Sequence, residues 1–152
     1  MGAQRIDIHS VDPKATQAVL AMETHARTSG LDPRLYELIK IRASQLNGCA
    51  YCLDMHTRDA RAGGEDQRRL DVLAAWHEAP ELYTDAERAA LALTEAVTLI
   101  GKAGVPEPIW TDVSAHFDEH GRVHLLMAIA VINVWNRLAV ATHKQLPHLA
   151  DG

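Results

Sequence analysis

The sequence has few features of a secreted, nucleic-acid-binding or β-rich protein. It contains only two cysteines in 152 residues, too few for the disulfide framework of a small secreted domain. Residues 1–13 lack the apolar core of a signal peptide. Lys and Arg never form a run longer than two, and the formal net charge is −5, which argues against a nucleic-acid partner. We therefore expect a cytoplasmic protein.

A membrane-spanning segment is not expected either. The most apolar stretch, residues 123–141, contains Asn133, Asn136 and Arg137, and a span of about 20 residues rarely carries so many polar groups. The stretch is instead typical of a central helix or of a helix at a subunit interface. It offers more apolar surface than a bundle of this size readily buries, which favours a homo-oligomer.

Strand patterns are almost absent, and the sequence predicts an all-α bundle in a single domain spanning residues 1–152. Alternation of apolar and polar residues occurs only at residues 5–9, which is too short to support a sheet. Asp12-Pro13 and Asp32-Pro33 are typical helix starts, and residues 84–87 form a capping box. The predicted helices cover residues 13–29, 33–47, 49–62, 66–77, 84–102, 106–119 and 122–147.

The segment 48–56, GCAYCLDMH, carries the most reactive side chains. At about 100° per residue, Cys49, Cys52 and His56 lie on one face of one helix, opposite Asp54 and Arg58. A helix N-terminus stabilises a thiolate, and a nearby imidazole can accept the proton of a thiol. A second cysteine one turn away can close an intramolecular disulfide. The spacing therefore predicts thiol redox chemistry through a Cys49–Cys52 bridge.

Glu37, followed by eleven residues and then by Cys49-x-x-Cys52-x-x-x-His56, resembles the alkylhydroperoxidase D (AhpD) core domain of the carboxymuconolactone decarboxylase superfamily. Segments 44–52 (SQLNGCAYC) and 133–137 (NVWNR) share this resemblance, which covers about residues 18–141. It implies an AhpD-like helical bundle, assembly as trimers or hexamers, and reduction of a small hydroperoxide by way of the two cysteines.

The resemblance also implies a role for each site residue. Cys52 would attack the peroxide, Cys49 would resolve the intermediate, and His56 with Glu37 would move the proton. An external dithiol or redox protein would then reduce the disulfide, with no metal, flavin or haem. The chain departs from the characterised peroxidases at Tyr51, where they carry a second His, and the decarboxylase branch lacks the cysteine pair.

The residues alone leave several alternatives open. Helix electrostatics favour Cys49 rather than Cys52 as the thiol of lower pKa. Glu37 lies at the margin of an apolar stripe, where a carboxylate is usually solvated, but the tight Asn47-Gly48 turn would bring it back beside the CxxC helix. Asn133 and Asn136 are equally compatible with lining a pocket and with bridging helices.

Two further functions compete with the peroxidase hypothesis. A zinc-stabilised helical scaffold would use the two cysteines, His56 and Glu37 as metal ligands, although three ligands on one helix face converge poorly on a tetrahedral ion. A redox-sensing oligomer would form the same disulfide with little turnover.

Overall fold

The computed structural model describes residues 2–147 and is helical throughout, with no strand in that range. Its eight α-helices are α1 (Ile8–Val11), α2 (Pro13–Arg27), α3 (Pro33–Asn47), α4 (Ala50–Ala62), α5 (Gln67–Val72), α6 (Asp85–Thr98), α7 (Glu107–His116) and α8 (Glu119–Thr142), with 3-10 helices at Leu73–Glu78 and Pro80–Leu82. The predicted all-α fold is confirmed.

The helix starts follow the capping residues. The carboxylates of Asp12 and Asp32 accept backbone N–H bonds in the first turns of α2 and α3, and a proline occupies the first position of each helix. Thr84 and Glu87 form the expected capping box at the start of α6. These side chains satisfy N–H groups that would otherwise lack partners, so each helix begins at a defined residue.

Local predictions were wrong at several points. Residues 8–11, for which no helix was predicted, form α1, because Asp7 accepts a bond from the N–H of Ser10 and caps a helical turn. The helix predicted over residues 66–77 changes to 3-10 geometry after Val72. The last helix begins at Glu119 rather than near residue 122, because the Asp118 carboxylate accepts the N–H of Gly121.

α3 is the central helix and packs against α4, α6 and α8. Its side chains Leu38, Ile39 and Ile41 are fully buried. Leu38 and Ile41 contribute to an apolar cluster with Leu91 and the α5 region, whereas Ile39 packs in a larger cluster shared with α8. α3 therefore joins the two halves of the core.

α8 is long and apolar enough to cross a membrane by length and composition alone, a test that the core helix of a soluble protein also passes. In the structure it packs against α2, α3 and α6, and Leu125, Ile129 and Ile132 are fully buried. Only 33% of its most apolar window is buried within the chain. α8 is therefore a core helix that retains uncovered apolar surface.

A buried ionic group links α2 to α3. The carboxylate of Glu23 accepts hydrogen bonds from Lys40, Tyr36 and Trp135, and it also pairs with Arg27. Lys40 has no exposed surface, and burial lowers the pKa of its ammonium group while the Glu23 charge opposes that shift. A buried ammonium without a counter-charge is strongly unfavourable, so Lys40 depends on Glu23.

The two members of this pair should differ in their effect on stability. Glu23→Gln leaves the Lys40 ammonium buried without a counter-charge and should lower the free energy of unfolding by about 3–5 kcal/mol. Lys40→Met should cost less, because Glu23 keeps Arg27, Tyr36 and Trp135 as donors. Urea denaturation of both variants tests this, and equal losses would contradict it.

Candidate active site

The start of α4 depends on the turn after α3. Gly48 ends α3 in the left-handed region, with φ 64°, where a side chain would be strained. The chain then reverses, and the backbone N–H of Cys49 bonds to the carbonyl of Ser44 at 3.0 Å. Cys49 becomes the N-cap of α4, and α4 packs back along α3.

The two cysteines are reduced and almost completely buried, at 1% and 2% exposure. The Sγ atom of Cys49 accepts the backbone N–H of Cys52 at 3.3 Å. Cys49 therefore uses its sulfur as a helix cap, in the place where a Ser or Asp oxygen usually stands.

These contacts give the two thiols different acidities. The Cys52 thiol donates a hydrogen bond to Cys49 and lowers the pKa of Cys49 to about 7, helped by the Cys52 N–H, the Asn136 amide and the Lys144 charge against the opposing effect of burial. The pKa of Cys52 is raised, because its S–H is held by Cys49 and because it is buried beside that negative charge. Cys49 is therefore the more acidic of the two thiols, as helix electrostatics predicts.

Glu37 and His56 form a hydrogen-bonded pair between α3 and α4. The Nδ1 atom of His56 lies 2.8 Å from Oε2 of Glu37. Both side chains are buried, at 8% exposure for Glu37 and 1% for His56, so Glu37 is not the solvated residue that its position at the edge of the stripe suggests. The Nε2 atom of His56 is also buried and has no hydrogen-bond partner within residues 2–147. With Nδ1–H donated to Glu37, Nε2 is free to accept a proton.

Arg27 and Asp59 lie around this pair. Nη1 of Arg27 is 3.9 Å from Oε1 of Glu37, which connects the pair to the buried Glu23 group. Among the described residues, Glu37, His56 and Asp59 are the one set that brings three potential metal-ligand atoms within 4.8 Å of one another. That set includes neither sulfur, so the proposed Cys–His zinc site does not have its ligands gathered at one point.

Asparagines from α3 and α8 complete the polar surroundings of the thiols. Nδ2 of Asn47 donates to Oδ1 of Asn133 and of Asn136, each at 2.9 Å, and Asn136 donates to Oγ of Ser44 at 3.0 Å. The Asn136 amide also acts to lower the pKa of both thiols and favours their ionised forms. Asn136 thus both bridges helices and lines the site. In the sequence, this role was indicated by the two asparagines spaced three residues apart on an apolar helix.

Two cavities flank the site. One, of about 280 Å³, is lined by Arg27, Arg34, Glu37 and Asp59 together with apolar residues. The other, of about 270 Å³, has Cys49 and Tyr51 on one side and the end of α8 with Lys144 on the other. Sequence reasoning missed Lys144 and Arg27, because neither lies in the motif or follows its helical spacing.

Comparison with known proteins agrees with this architecture. The model of the carboxymuconolactone decarboxylase family matches residues 13–96. The uncharacterized protein YdfG of Bacillus subtilis is 42% identical over 139 residues, covering 91% of this chain and 94% of that protein.

Solved structures give the same result. An Agrobacterium tumefaciens protein of unknown function, with the suggested name antioxidant defence protein AhpD, superimposes with a TM-score of 0.93 at 39% identity, covering 97% of this chain and 100% of that chain. The debrominase Bmp8 is 19% identical with a TM-score of 0.80 over 91% and 74% of the two chains, and shares the fold.

The hydrogen bond between the thiols generates a prediction for Cys49. In Cys52→Ala the S–H donor is lost, and the apparent pKa of Cys49 should rise from about 7. In Cys52→Ser a hydroxyl donor remains, so the pKa should stay lower than in the alanine variant. Iodoacetamide alkylation rates measured against pH give both values, since Cys49 is then the sole thiol. Identical profiles would show that the Cys52 side chain does not stabilise the thiolate.

Proposed function

Since the chain belongs to the carboxymuconolactone decarboxylase family, and its fold is AhpD-like, we propose that it is a thiol-dependent hydroperoxide reductase. The observation that carries the proposal is the buried Glu37–His56 hydrogen bond, with His56 one helical turn after Cys52 on the helix that begins at the free thiol pair. A base held in place beside a thiol is the arrangement that nucleophilic thiol catalysis requires.

The proposed cycle starts with a thiolate attacking the terminal oxygen of a hydroperoxide. The O–O bond breaks, a sulfenic acid forms on the cysteine, and the alkoxide leaves as alcohol after accepting a proton. The second cysteine then attacks the sulfenic sulfur, which closes the Cys49–Cys52 disulfide and releases water. An external dithiol or redox protein supplies two electrons and two protons and restores both thiols.

His56 and Glu37 serve proton transfer in this cycle. Glu37 fixes Nδ1 of His56 through the 2.8 Å contact, which leaves Nε2 to take a thiol proton and to return it to the leaving alkoxide. Glu37 also stabilises the imidazolium that forms during the transfer. The reaction uses only these protein groups and the two substrates, and it suits the reducing cytoplasm, where the disulfide can be reopened.

The deciding experiment measures turnover of several hydroperoxides with a panel of dithiol reductants. Cys49→Ser and Cys52→Ser should each abolish cycling, and the oxidised wild-type protein should contain one intramolecular disulfide by thiol titration and peptide mapping. Glu37→Gln should slow turnover by about a hundredfold, because the carboxylate that positions His56 is lost.

The exposed Glu107→Gln serves as the control for removal of a carboxylate. Turnover that survives in both cysteine variants would refute the peroxidase proposal. A Glu37→Gln variant with wild-type rates would refute the relay and leave Glu37 a structural role. Thiols that oxidise without being cycled by any reductant would favour the redox-sensing alternative.

We also propose that the working form is a symmetric trimer or hexamer. Only 33% of the most apolar window of α8 is buried within the chain, and Val123 and Val140 on this helix are 53% and 45% exposed, so a second copy of the chain can cover this helix. Light scattering at micromolar concentration should give three or six times the mass of the 152-residue chain. A monomer mass would exclude this assembly.

A further inference from the structure

The cavity beside Cys49 contains one cationic side chain whose purpose the peroxidase cycle does not explain. Its described lining joins the start of α4, with Cys49, Ala50 and Tyr51, to the end of α8, with Ala139 and Lys144. Cys52 is not part of this lining, so Cys49 is the sulfur that an occupant of this cavity would meet.

The backbone at the end of α8 holds Lys144 in place over this cavity. His143 adopts the left-handed conformation with φ 54° and ends the helix, and the N–H of Lys144 bonds to the carbonyl of Ala139 at 2.9 Å. The Lys144 ammonium then lies 4.4 Å from the centre of the Tyr51 ring. A cation over an aromatic face is attracted to the ring and keeps its charge.

The charge distribution around the cavity favours an anion. None of the described residues lining it is acidic, whereas the cavity on the Glu37 side contains both Glu37 and Asp59. The chain as a whole carries a net charge of −5, so an anionic reactant is attracted only where a local cation outweighs that field.

We propose that the cavity between α4 and the end of α8 selects reactants that carry a carboxylate, with Lys144 binding the carboxylate while the reactive end of the molecule meets Cys49. The cavity volume of about 270 Å³ suits a small molecule or the end of an aliphatic chain, and the Tyr51 and Ala139 side chains provide apolar walls. The carboxylate can belong to the hydroperoxide or to the thiol that reopens the disulfide. This inference refines the proposed function. The part of it that concerns a hydroperoxide carrying the carboxylate depends on the proposed function.

The first test is independent of peroxidase activity. Iodoacetate and iodoacetamide both alkylate a thiolate by displacing iodide, but only iodoacetate carries a negative charge. In a Cys52→Ser background, the ratio of their rates at Cys49 reports attraction of the carboxylate and cancels any change in thiol pKa. Lys144→Gln should lower this ratio about fivefold, the effect of one partly screened charge pair. Lys102→Gln, which removes a lysine that does not line the cavity, should leave the ratio unchanged.

Two further arms, with both cysteines present, identify the reactant that carries the carboxylate. The hydroperoxide arm compares oxidation of the reduced protein by a fatty-acid hydroperoxide and by its methyl ester. The thiol arm starts from protein whose disulfide was formed with diamide, and compares reduction by mercaptoacetate and by 2-mercaptoethanol. In the second arm the incoming thiolate attacks Cys49 Sγ and forms a mixed disulfide, while the Cys49–Cys52 bond breaks and Cys52 leaves as the thiolate. A second thiol molecule then attacks the mixed disulfide, which frees Cys49 and releases the disulfide of the reagent.

Lys144→Gln should remove a preference for the charged member in at least one of these arms. The arm in which Lys144→Gln removes this preference identifies whether the hydroperoxide or the thiol carries the carboxylate. An iodoacetate-to-iodoacetamide ratio that is unchanged by Lys144→Gln overturns the inference, and so does the absence of a Lys144-dependent preference in both arms. A protein that no hydroperoxide oxidises refutes the proposed function, while the thiol arm still decides the role of Lys144.

Discussion

The geometry of the site depends on the reversal of the chain at Gly48. The left-handed backbone of Gly48 ends α3, and α4 then packs along α3 in the opposite direction. Two separate effects follow from this one turn. Cys49 is placed at the N-cap of α4, where free N–H groups favour a thiolate, and Glu37 on α3 comes within 2.8 Å of His56 on α4.

Burying these polar groups carries a cost that the surrounding residues offset. Glu37 is held on one side by His56 and on the other by Arg27, which also pairs with Glu23. Glu23 in turn compensates the fully buried Lys40. On the α8 side, Asn47 and Asn136 satisfy each other and Ser44. The site therefore lies within a hydrogen-bonded polar layer between α3 and its neighbours, and substitutions in this layer affect stability and chemistry together.

The sequence predicts the fold well because the information that defines it is local. Asp12, Asp32 and Thr84 act within their own first turns, so the helix starts can be read from neighbouring residues. The common face of Cys49, Cys52 and His56 follows from helical spacing alone.

Other features could not be predicted. No apolar periodicity near Asp118 indicated that this residue caps α8. Lys144 approaches Cys49 only because α8 ends beside α4, and helix packing of that kind leaves no pattern in a single sequence. The resemblance to known peroxidases identified Glu37, whereas its position in the apolar stripe indicated a solvated residue.

In the proposed cycle, the difference in acidity between the thiols gives the helix cap and the histidine different tasks. The Cys52 S–H lowers the pKa of Cys49, whereas its hydrogen bond to Cys49 and its burial raise the pKa of Cys52, so Cys49 is the more acidic thiol. If Cys49 attacks first, no base is needed for that step, but Cys52 must then lose its proton to attack the sulfenic acid. If Cys52 attacks first, as the resemblance implies, the same proton must leave before the peroxide reacts. In either order the proton to be removed is that of Cys52, and His56 follows Cys52 by one helical turn. In the proposed cycle the Glu37–His56 pair and the N-cap would therefore act on different sulfurs, which makes the family assignment compatible with the electrostatics of α4.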